Sequence, residues 1–199
     1  MTKLFRLSLL VSFWLVPQLA FAHSPIKGMG DFFNGVIHPL LVPAQVLMIL
    51  ALGLLYGQHQ PNKHKTAILL FLAASIAGLV LTLFNVNIKI ETILLIGASL
   101  TGLLVLSGIT LHWFVFIALG ILAGLIIGLD SSQQTLSGKA RIVSLFGSGV
   151  GIYFLLLYAM AISESLSKKL WQTVMVRVVA SWVSASALMV LALTLSRKL

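Results

Sequence analysis

Apolar residues in this chain run in long, nearly unbroken stretches instead of alternating with polar ones. Six stretches read as helices: Asp31 to Tyr56, Thr66 to Phe84, Ile90 to Gly108, Leu111 to Leu129, Ala140 to Ile162 and Trp171 to Leu195. Each comes close to the roughly 20 residues that a helix needs to cross the hydrocarbon core of a bilayer. The polar segments between them are short, which predicts antiparallel neighbours. A further apolar stretch, Leu7 to Val16, follows Lys3 and Arg6 and precedes Pro17 and Ala20-Phe21-Ala22. It has the form of an export signal with a small-residue cleavage site, the alternative being an uncleaved first helix. The pattern predicts an all-α integral membrane protein, a compact bundle of about six transmembrane helices after an N-terminal signal peptide. Residues 1–22 are then the signal and 23–199 a single transmembrane domain.

Composition narrows the function classes. Hydrophobic residues make up 59% of the 199 and charged residues 9%, which leaves no room for a soluble domain and makes the lipid bilayer the main partner. The formal charge is +9, from 13 Lys and Arg against 4 Asp and Glu. These cations sit in short loops and at helix ends, not in a block, so no nucleic-acid partner is expected. Cysteine is absent, which excludes disulfides, iron–sulfur centres and thiolate metal sites. Any metal must use histidine, carboxylate, amide or water. Gly147-Ser148-Gly149 invites comparison with an intramembrane serine protease, but the base should be a histidine on a neighbouring span. The last histidine in the chain is His112, so no enzyme and no resident cofactor is expected.

Orientation follows from the signal. With His23 as an outside amino terminus, Lys63, Lys65, Lys168 and Lys169 face the cytoplasm, while Lys27, Lys89, Lys139, Arg141, Arg197 and Lys198 lie outside. That balance runs against the positive-inside tendency, and the amino-terminal signal is taken to dominate.

Small residues mark packing faces. Gly120, Gly124 and Gly128 recur every fourth residue on the fourth span, as do Ala98 and Gly102 on the third. Gly147, Gly149 and Gly151 accompany Ser144 and Ser148 on the fifth. In lipid, such stripes let helix backbones approach closely.

The first span carries the candidate chemistry. Asp31, Asn34, His38 and Gln45 follow at offsets of three, four and seven, which a continuous helix would place on one face. Pro39 and Pro43 interrupt the same segment, and the helix is expected to kink or begin anew there. Interrupted helices at membrane depth expose backbone carbonyls to ions, which makes His38 the leading ligand candidate. Glu91 opens the third span and Asp130 closes the fourth, each able to compensate a cation's charge. The candidate metal ligands are therefore His38, Gln45, Asp31, Asn34, Glu91 and Asp130. Arg177 lies two turns into the last span, His112 beside Trp113 reads as an interfacial anchor, and His59 and His64 belong to a polar loop.

Phe33-Asn34-Gly35-Val36-Ile37-His38-Pro39-Leu40, after the exported Ala22-His23 start, resembles the HupE/UreJ family of membrane proteins. Ile90-Glu91 followed by Leu94, Gly97, Ser99 and Gly102-Leu103-Leu104 is similar to that family's third span, and Arg177 with its small-residue run to the last. The resemblance implies a secondary permease for a divalent metal of the nickel or cobalt class, linked to hydrogenase or urease maturation. The place implied is the bacterial cytoplasmic (inner) membrane. The alternative is a non-transporting accessory or assembly subunit, working as a homo-oligomer or with a partner. Two family motifs are altered. The acid and second histidine expected after His38-Pro39-Leu40 are replaced by Ala44 and Gln45. The fourth-span motif keeps Gly124, Gly128 and Asp130 but has Ala123 and Ile127 where histidines are expected.

Overall fold

The computed structural model describes residues 28–59, 65–84, 90–131 and 136–196. Among these residues the chain forms seven α-helices: α1 (Asp31–Leu41), α2 (Pro43–Gln58), α3 (Lys65–Leu81), α4 (Glu91–Ser107), α5 (Trp113–Asp130), α6 (Gly138–Ser165) and α7 (Leu170–Ser196). One 3-10 turn, Thr82–Phe84, extends α3. The predicted amino-terminal signal and its predicted cleavage after Ala22 lie outside the described residues.

The predicted first span is two helices. Val42 is extended (φ −95°, ψ 107°) and α1 and α2 meet at 73°. Proline explains the break. The residue before a proline is pushed out of the helical region, and Pro43 suits the first position of a new helix because its missing N–H would have no partner there. Neither Pro39 nor Pro43 can donate to the carbonyl four residues back, at Gly35 and Pro39. The predicted polar face is corrected accordingly. Asp31, Asn34 and His38 ride on α1 and Gln45 on α2, so the four do not lie on one continuous helix.

Among the described residues, four helices are long and apolar enough to cross a membrane, and five spans result if α1 and α2 count as one broken span. The predicted third span, α4, is an apolar helix of 17 residues. It ends at Gly108, whose left-handed conformation (φ +62°) lets its N–H reach Val105 O. Glycine adopts that backbone at little cost.

Central to the bundle is α2, packed against α1, α4, α5, α6 and α7. Buried residues run unbroken from Ala51 to Gly57 along it, including Leu52, Leu55 and Tyr56. The closest pairs are not the sequence neighbours that short loops suggest: α3 lies on α5, α1 and α2 on α6, and α4 on α7. Small residues set each of these. A Cβ at Gly124 would fall on Phe71 O, one at Gly128 on Ser75 O, and one at Gly120 2.9 Å from Ala67 O. These contacts advance together along both chains, so α3 and α5 run parallel. Gly53 and Gly57 likewise meet Ala159 and Ser163 in order, making α2 and α6 parallel. Between α4 and α7 the order reverses: Ser184 donates to Ser99 O at 3.0 Å, while Gly108 faces Arg177. Gly147 and Gly151 abut the Phe32 and Val36 carbonyls of α1, which is the packing role expected of them. Lipid supplies no hydrophobic drive between helices, so such close contact must hold the pairs together.

Candidate functional site

The break at Val42 places Gln45 in the first turn of α2, with no exposed surface. Its Nε2 donates to Asp130 Oδ2 at 2.8 Å across the end of α5. A carboxylate only accepts, so this bond fixes which way the amide turns and presents Gln45 Oε1 to Ser131. Ser131 Oγ is 3.4 Å from that oxygen, but its single proton goes to Ile127 O at 2.8 Å. Gln45 Oε1 therefore retains acceptor capacity inside the protein. The bend, buried Gln45 and Ser131, and half-buried Asp130 together form a polar corner where α2 begins and α5 ends.

The remaining candidates lie on α1 and α4. His38 is 7% exposed in the last turn of α1, and its carbonyl accepts Val42 N–H at 3.3 Å. Asn34 Nδ2 donates to Gly30 O at 3.0 Å, which commits its amide to the start of α1. Asp31 is half-buried in the first turn of α1, and Glu91 is exposed in the first turn of α4. An acid at either position is favoured by the positive end of the helix dipole. Among the described residues, no group of three or more His, Asp and Glu side chains converges to hold a metal ion. The structure thus unites Gln45 with Asp130 and leaves Asp31, Asn34 and Glu91 at helix starts.

Ser131 is part of the corner and was not singled out from sequence. Its signal is modest: a serine directly after an acid at the end of an apolar helix, where hydroxyls commonly satisfy the last carbonyls. His59 lies in the connection after α2, as expected, and is held in place there. It follows α2, with Nδ1 3.1 Å from Leu55 O, Nε2 3.2 Å from Ile109 O, and its ring edge-on to Phe116. It ties the end of α2 to the α4–α5 connection. His112 is exposed and stacks on Phe114 beside Trp113, as an interfacial anchor does.

An all-helical bundle with several apolar spans, one broken at proline, and an amide–carboxylate pair at the break defines a multi-pass membrane protein with a polar corner at one end of its helices. The chain belongs to the HupE/UreJ family: the family model described as HupE / UreJ protein matches residues 11–191, most of its length. That is a transporter-like membrane family associated with nickel and cobalt transport or maturation, not an enzyme family. Neither a curated protein nor a solved structure gives a significant match.

Proposed function

We propose that this protein is a secondary permease for a divalent transition-metal cation of the nickel or cobalt class, serving hydrogenase or urease maturation. The observation that carries the reading is the 73° break in the first span, with Gln45 and Asp130 joined one turn beyond it. A broken helix next to a half-buried carboxylate matches the way membrane transporters expose carbonyls and charge to an ion. In this reading His38 offers an imidazole nitrogen, Gln45 its Oε1, and Asp130 the compensating charge. Asp31, Asn34 and Glu91 line the approach. Nickel and cobalt accept such mixed nitrogen and oxygen ligands.

Six crossings fit the alternating helix directions better than five. At 1.5 Å per residue α4 is about 26 Å long, within the thinning and mismatch that a bilayer tolerates. The same reading makes residues 23–199 one domain of the inner membrane with its amino terminus outside. Cleavage after Ala22 should leave His23 as the first residue of the membrane-embedded protein. Amino-terminal sequencing of that protein checks it, and Met1 or Thr2 there would show an uncleaved first helix.

Accumulation of nickel and cobalt, compared with zinc, copper and iron, in cells expressing the protein is the direct test. His38→Ala should abolish uptake, a loss of at least tenfold, given the 10–100-fold that even indirect ligand support is worth. His112→Ala should leave it intact, because that ring is exposed beside Trp113. Equal loss in both variants, or none in either, would remove His38 from the path. One observation favours the alternative of an accessory or assembly subunit: the lack of a converging His, Asp and Glu set among the described residues. A folded parent that accumulates none of these metals would select that alternative.

A further inference from the structure

The pairs α3–α5 and α1–α6 leave a cleft between α3 and α6, with a volume of about 540 Å³. Its walls are almost wholly apolar. On one side they run from Leu72 to Leu83, and on the other they follow a single face of α6: Ile142, Leu145, Phe146, Gly149, Val150 and Tyr153. The hydroxyl of Ser75, in the first wall, is turned back to Leu72 O. At the end of this stripe the character changes. Lys139 is exposed in the first turn of α6, and Arg141, one residue before the stripe, donates to Thr82 O at the end of α3. No acidic residue lines the cleft, and the positive end of the α6 dipole lies at the same place.

Length separates the two occupants that an apolar cleft in a membrane protein can take. From Ile142 to Tyr153 the stripe covers about 16 Å at the helical rise, roughly half of the 30 Å hydrocarbon core. A partner helix would require a groove through the whole core. A phospholipid from one leaflet requires only half, with its phosphate at the rim. Lysine and arginine at that rim match an anionic headgroup, since basic residues near a membrane surface attract anionic lipid.

We infer that the α3–α6 cleft binds an acyl chain of an anionic phospholipid, whose phosphate is held by Lys139 and Arg141 at the start of α6. The lipid wedges between the two tightest helix pairs and braces them at the end of the bundle that also carries Gln45 and Asp130.

Delipidated protein in neutral detergent, titrated with phosphatidylglycerol or phosphatidylcholine of identical chains and read by native mass spectrometry, tests this. The parent should retain phosphatidylglycerol about tenfold better than phosphatidylcholine, and soluble glycerol phosphate should not displace it. Lys139→Gln, at an exposed position, should reduce that preference several-fold, and Lys139→Gln with Arg141→Gln should erase it. Gly149→Leu should lower retention of both lipids by at least tenfold. A Cβ at Gly149 meets only the tip of Leu79, 3.3 Å away, so the larger side chain can occupy the cleft without disturbing backbone. Equal retention of the two lipids by the parent would overturn the proposal, as would Gly149→Leu protein that folds and retains lipid like the parent. A parent dimer that Gly149→Leu dissociates, with lipid retention unchanged, would make the cleft a protein contact and overturn it too.

Discussion

Gly124→Leu should yield almost no folded protein, and Gly124→Ala should lower the thermal unfolding midpoint by about 10 °C. The reason lies in the parallel contact of α3 and α5. Even a single added carbon at Gly124 would sit on Phe71 O and within 3.1 Å of Ser75 N. Both atoms are helical backbone, which cannot turn aside as a side chain can. Relief comes only by moving the helices apart, which loses the contacts of Gly120 and Gly128 as well, because they lie on the same stripe. Overpacking a well-filled interior costs about 1–3 kcal/mol, and water-driven association is not there to compensate within the bilayer. Gly149→Ala is the matched control, since its new carbon meets only the end of Leu79, and it should unfold like the parent. Thermal unfolding of the three variants in one detergent checks the ordering. Normal stability of Gly124→Leu would mean that α3 and α5 do not meet through this stripe.

The second large effect concerns metal handling. Gln45→His should raise nickel or cobalt uptake at limiting metal about tenfold, the scale on which ligand surroundings alter metal affinity. Gln45 already lies 2.8 Å from Asp130 in a fully buried position. An imidazole there would keep a hydrogen-bonding contact with the carboxylate and present a nitrogen to the ion. Replacing an amide by imidazole moves the donor set towards what nickel and cobalt prefer. The neighbouring change, Ala44→Asp, should behave in the opposite way. Ala44 has no exposed surface, and a carboxylate inserted there is buried without a built partner, at a cost of several kcal/mol. It should lower the yield of folded protein and give no gain in uptake. Metal accumulation normalised to folded protein separates the two results. A Gln45→His variant that folds and takes up no more metal than its parent would place the ion's route away from this corner.

Much of this architecture was legible from residue order alone. In a bilayer each spanning segment must satisfy its own backbone hydrogen bonds, so apolar length marks the helices and proline marks where one must stop. That is why α5, α6 and α7 lie close to their expected positions, and why the break around Pro39 and Pro43 could be foreseen. The stripe at Gly120, Gly124 and Gly128 could also be recognised as a contact face, because only small residues permit backbone approach. What it touches could not be read. That α5 sits on α3 in parallel, and α6 on α1 and α2, depends on how whole helix surfaces fit, and van der Waals fit leaves no local mark in sequence. The candidate site shows the same division. A chemically uncommon glutamine beside two prolines drew notice by itself, but a periodicity argument assigned it to the face of Asp31, Asn34 and His38. A 73° bend at Val42 puts it on a second helix, and a hydrogen bond spanning 85 residues joins it to Asp130. Periodicity holds only while the helix is continuous. Past a proline, the direction of the next helix is set by what it packs against, which for α2 is nearly every other helix of the bundle.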